Sequence, residues 1–97
     1  MRTQEIHVEQ RHIDAGKRKS LCSCPVALAL RDATGFEPRV GVGRLELYDI
    51  DHFKVLDKAY DEYQDGRRVS EFVIRFDRCA QVSPFSFQLP VPTRTYP

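Results

Sequence analysis

Cys22, Cys24 and Cys79 together with His7, His12 and His52 are the residues of this 97-residue sequence best equipped for chemistry. Thiolate and imidazole are the ligands zinc prefers. A structural zinc site shows two tight ligand pairs, whereas here only Cys22-x-Cys24 approaches one, at a spacing shorter than C-x-x-C. The spacing therefore predicts no metal site and no cofactor. A buried free thiol is the reading left for Cys24 and Cys79. Cys24 has a second possible use, because it precedes Pro25 at a helix start, where N–H groups lower a thiol pKa and Lys17, Arg18 and Lys19 add positive charge. A thiol nucleophile also needs a base held by a third group, and nothing in the spacing ties His7 or His12 to Cys24. No catalytic residue is assigned. His12, in what reads as a tight turn before Ile13, is expected to bond a nearby backbone group.

Two charged constellations remain as candidate binding surfaces. Lys17, Arg18 and Lys19, with Arg11, Arg67 and Arg68, make a possible anion-binding patch beside a helix N-terminus. Opposing a nucleic-acid role, the net charge is only +1 and no nucleic-acid motif is present. The charge is unevenly spread: residues 1–44 carry eight Lys/Arg against five Asp/Glu, residues 45–65 two against seven, and residues 66–97 five against two. Within the acidic middle, Asp49, Asp51, Asp57, Asp61, Glu62 and Asp65 are interleaved with Tyr48, Phe53, Tyr60 and Tyr63. Aromatics supply contact area and carboxylates steer toward a basic partner, so Asp57, Tyr60, Asp61, Glu62 and Tyr63 are candidate partner-binding residues. The alternative is an exposed loop whose aromatics fold back onto the core.

These residues must be positioned by a small set of elements. The stretch from Cys24 to Asp32 is central: Ser23 is placed to cap a helix, Pro25 suits its first turn, and Gly35 supplies the stop. Val26 through Leu30 leave no polar face, which predicts a helix buried on most sides. Upstream, Ile6 and Val8 alternate with Glu5, His7 and Glu9, a half-buried strand over residues 3–10. His12 to Gly16 reads as one helical turn closed by glycine and anchored by Ile13. Downstream, residues 40–48 read as a strand bent near Gly43, with a hairpin turn there as the competing reading. Phe53 to Leu56 is a further short strand, and residues 57–65 are a loop or a weak helix. Val69, Phe72, Val73 and Phe76 at i, i+3, i+4 and i+7 predict an amphipathic helix. Phe85, Phe87 and Leu89 alternate with Ser86 and Gln88 in a strand whose edge Pro84 guards.

This order predicts a single α+β domain over residues 1–89, with a mainly antiparallel sheet of three to five strands and two helices on one face. A proline-rich tail without regular structure is expected over residues 90–97. The length suits one core. The chain has no membrane-length apolar run, its first residues are too polar for a signal peptide, and its odd cysteine number does not suggest a secreted scaffold, so a cytoplasmic protein is expected.

Several motifs taken together resemble a family of small uncharacterised bacteriophage and prophage proteins. They are Ile6-x-Val8, His12-Ile13-x-x-Gly16, the run Cys24-Pro25-Val26-Ala27-Leu28-Ala29-Leu30, Val69-x-x-Phe72-Val73-x-x-Phe76-Asp77, and Val82-x-Pro84-Phe85-x-Phe87-x-Leu89. The resemblance covers most of the chain except residues 45–65 and implies a cytoplasmic accessory protein in a bacterial host. It carries over no catalytic residue. The functional expectation is a non-enzymatic protein that binds a host or phage protein, in its narrowest form an inhibitor of a bacterial defence system such as a CRISPR–Cas complex. A small nucleic-acid- or nucleotide-binding module using Lys17 to Lys19 is the alternative.

Overall fold

In a computed structural model, which describes residues 2–41 and 43–92, the chain runs β1 (Arg2–Val8), α1 (Gln10–Ala15), α2 (Pro25–Thr34), β2 (Glu37–Val40), β3 (Arg44–Tyr48), β4 (Lys54–Ala59), a 3-10 turn (Tyr60–Glu62), α3 (Gly66–Asp77) and β5 (Phe85–Val91). The class is α+β and its strand pairings are antiparallel. The strands form two sheets: β1 pairs with β5, and β2, β3 and β4 make a meander. Helix α2 packs against β1, β2 and α1. It therefore joins the two sheets, which explains why the sequence leaves it almost no polar face: Val26, Ala27, Ala29 and Leu30 are all buried.

The α2 cap differs in detail from the expected one. The N-cap is Cys24, not Ser23; the Cys24 sulfur accepts a hydrogen bond from the Ala27 amide at 3.4 Å. At the other end Gly35 adopts the left-handed conformation, φ 73°, and its N–H donates to the Arg31 carbonyl, a position where a side chain would be strained. Gly16, by contrast, ends α1 in extended backbone. Its value is space, since a Cβ there would lie 2.6 Å from the Pro25 ring. The residue of α1 that is buried is His12, and Ile13 packs only partly against the core.

In β1 the alternation works as expected, with Ile6 and Val8 buried opposite Phe87 and Phe85 of β5. Pro90 and Val91 belong to β5 as well, paired with Thr3 and Arg2, and Val91 is buried. Pro90 and Val91 of the expected irregular tail are therefore strand, and residues 93–97 lie outside the described residues. The outer side of β5 is tied down, because the Gln88 amide donates to Asp65 at 2.7 Å. Of the two readings around Gly43, the hairpin is the one found: Gly41 N–H bonds the Arg44 carbonyl and β2 returns as β3. The short strand expected from Phe53 begins at Lys54 and runs to Ala59, with a register shift opposite Leu47/Tyr48. Helix α3 buries Val69, Phe72, Val73 and Phe76, and the Phe72 ring meets Phe85 with centroids 4.8 Å apart. No helix among the described residues is long and apolar enough to cross a membrane.

Candidate functional site

The loop from Gly16 to Cys24 is held at several points. Lys17 N–H bonds the Ser23 carbonyl at 2.8 Å, the Leu21 carbonyl accepts from Val40 of β2 at 2.8 Å, and the Lys19 amide donates to Asp77 of α3 at 2.8 Å. Lys19 is left-handed, φ 57°, to make that turn. Arg18 lays its guanidinium 5.8 Å from the centroid of the Phe76 ring. The expected basic triplet is thus exposed, as a solvated loop should be, but its backbone is fixed against α3 and the meander.

This docking opens a groove of about 760 Å³ between the loop, the end of β2 and the second half of α3. Leu21, Val40, Val73 and Ile74 form its apolar lining, with Cys24 at its base and Lys19, Asp77 and Arg78 at its rim. Lys19 and Arg78 have no ion-pair partner among the described residues, whereas Asp77 is engaged by the Lys19 amide. Leu21 is 51% exposed, so the groove presents an apolar side chain to solvent. Sequence reasoning identified Lys19 but not Leu21, Val40, Ile74 or Arg78. The available signal was weak: a single leucine among polar residues after the basic run.

The acidic segment is built differently from the surface anticipated for it. Tyr60 and Tyr63 are only 8% and 9% exposed, so the expected aromatic contacts face inward. Tyr60 donates its hydroxyl to the Gly41 carbonyl at 2.5 Å, and burial pushes both phenols well above the ordinary tyrosine range. The Tyr63 hydroxyl is buried without a hydrogen-bond partner among the described residues. Asp57 bonds Arg44 at 2.6 Å and Lys54 at 3.3 Å, and the Arg44 contact above all holds its carboxyl below the usual range. Glu62 caps the Ala59 amide at 2.7 Å. Of the five residues, only Asp61 is exposed with no partner among those described. The aromatic side chains folded inward because the 3-10 turn packs on α3, a tertiary contact that composition does not reveal.

His12 is the other residue to weigh. Its Nδ1 accepts the Glu9 amide at 2.9 Å and its Nε2 lies 2.8 Å from Asp32, so the proton sits on Nε2 and donates to the carboxylate. Both ring nitrogens are engaged, which leaves His12 none with which to activate Cys24. Burial also raises the Cys24 thiol above its ordinary pKa, outweighing the helix amides. Cys79 is exposed, not buried as expected. Among the described residues no group of three or more His, Cys, Asp or Glu side chains converges as an ion would require.

The His12–Asp32 contact makes a pH prediction. Asp32 is held below the usual carboxylate range first by the His12 hydrogen bond and then by Arg11. A depressed folded pKa contributes stability that is present above the unfolded value, about 3.9, and lost as pH falls through the folded one. In urea titrations, wild type should exceed Asp32→Asn in stability at neutral pH. The gap should then close as pH falls below about 4. A gap that stays constant into acid would assign the difference to packing alone.

The chain was compared with family models, with curated proteins and with solved structures. None matches. The functional reading accordingly rests on the groove and the charges around it.

Proposed function

We propose that this chain is a non-enzymatic binding protein that docks on a partner protein, receiving an apolar segment flanked by acidic residues in the groove beside Leu21. The observation that carries this reading is the combination of an apolar lining, Leu21, Val40, Val73 and Ile74, with two cations at its rim, Lys19 and Arg78, that have no ion-pair partner among the described residues. Fully desolvated apolar anchors supply most of the energy of such contacts, and the surrounding charges select the partner and speed its approach. The sequence resemblance supports a narrower form, a phage protein acting on a host or phage target, of which inhibition of a bacterial defence system is the most specific version.

The test is affinity capture from bacterial lysate with the tagged chain. Leu21→Glu puts a carboxylate on the groove at an already exposed position and is expected to reduce capture of a stoichiometric protein at least tenfold, about 1.4 kcal/mol. Asp61→Lys, on the acidic stretch, should leave capture intact. The reverse pattern would move the surface to residues 57–63 and end the groove reading. A nucleic-acid reading has one observation in its favour: Lys17, Arg18 and Lys19 are all exposed and none has an ion-pair partner among the described residues. Captured material that disappears with nuclease, with steep salt dependence, would favour that reading.

A further inference from the structure

The β3–β4 turn presents two large apolar side chains to solvent: Ile50 is 80% exposed and Phe53 69%. Among the described residues the one other exposed large hydrophobic is Leu21, on the groove. Isolated exposed apolar residues are ordinary, but these two stand on a backbone that is already fixed. The Asp49 carboxylate accepts from the amides of Asp51 and Phe53, both at 2.9 Å, Asp49 N–H bonds the Phe53 carbonyl at 2.9 Å, and His52 N–H bonds the Asp49 carbonyl at 3.0 Å. A tip held in this way has little conformational freedom left to lose on binding.

We infer that this tip of one copy enters the groove of a second copy, joining chains head to tail. The inference rests on reading the groove as a docking site and names an occupant for it. Charge supports the match: the tip carries Asp49 and Asp51, neither in an ion pair among the described residues, and the groove offers two cations, Lys19 and Arg78, against one carboxylate, Asp77. Connectivity prevents a chain from filling its own groove. The groove reaches the β2–β3 turn at Gly41 and the tip is the β3–β4 turn, so β3 separates them by four residue steps, about 13 Å. Tip and groove are different surfaces at opposite ends of one meander, so the contact is heterologous. A pair of wild-type copies joined this way keeps one free tip and one free groove, so assembly proceeds beyond the dimer or closes into a ring.

Sedimentation velocity on the full chain tests this with two variants at exposed positions, Phe53→Asp in the tip and Leu21→Glu in the groove, with circular dichroism to verify folding. Wild type should gain mass as concentration rises from micromolar to millimolar, and less so at high salt. Each variant alone should remain monomeric. An equimolar mixture should form a one-to-one dimer and stop there, because only one tip and one groove of the pair are intact. A monomeric wild type throughout, a mixture that fails to complement, or self-association that survives both substitutions, as pairing of the open β4 edge would, overturns the inference. A monomer whose lysate capture is still lost in Leu21→Glu would remove self-association and leave the groove reading standing; a monomer whose capture is indifferent to Leu21 would remove both.

Discussion

Gly66→Ala should destabilise the fold by about 3 kcal/mol, toward the upper end of overpacking effects. The sign is contrary to local expectation, since alanine in a helix is ordinarily favoured over glycine by roughly 0.5–1 kcal/mol. Here the backbone of α3 lies directly on the 3-10 turn. A Cβ on Gly66 would overlap the Tyr60 carbonyl oxygen and lie 2.5 Å from its carbon and 2.8 Å from the Tyr60 Cα. These are main-chain atoms, and they cannot rotate aside as a side chain would. Relief requires α3 to separate from the turn, exposing Tyr60, Tyr63 and Val69, all buried in the native state. At roughly 4–8 °C per kcal/mol for a domain of this size, the melting temperature should fall by more than about 10 °C. Gly43→Ala is the control: a Cβ there meets nothing within 4 Å, and a change within about 0.5 kcal/mol is expected. Equal effects at the two positions would show that glycine matters through the unfolded chain and not through the turn contact.

Leu30→Ala should cost about 3 kcal/mol for a different reason, the cavity left in a helix that packs against both sheets. Leu30 is fully buried, and α2 packs against both β1 and β2. Neither sheet can collapse into the void without pulling away from the other. Leu28, two residues back on a different face of the helix and only half-buried, provides the comparison. Leu28→Ala should cost less than about 1.5 kcal/mol, because less area is removed from contact. In urea unfolding the midpoint should shift in both variants at unchanged slope. Similar losses for the two leucines would deny α2 its joining role.

Helices α2 and α3 and strands β1 and β5 were legible because each carries its own signal. Val69, Phe72, Val73 and Phe76 repeat at a helical period, Ile6 and Val8 alternate, and Pro25 and Gly35 punctuate α2. The cap was misassigned between neighbours: Ser23 has the preferred chemistry, yet Cys24 is the residue whose sulfur reaches the Ala27 amide. At Gly43 two readings competed because Val40-Gly41 and Leu45-Glu46-Leu47 suit one bent strand as well as two paired ones. The tyrosines were harder still. Tyr60 and Tyr63 stand among acids, and only the packing of the 3-10 turn on α3 places their rings inside.

By itself the sequence determined the α+β class, the apolar faces of the main helices and strands, and the solvated basic loop, since periodicity and local backbone preference act over a few residues. Tertiary structure alone decided that Arg2 pairs with Val91 across nearly the whole chain, that the strands divide into two sheets joined by α2, and that Leu21, Val40 and Ile74 meet as one groove while Ile50 and Phe53 stand out at the opposite turn. The reason is physical: an apolar stripe specifies that a face must be covered, but what covers it is chosen by the joint packing of segments far apart in the chain, and a residue left uncovered is defined only when that packing is complete.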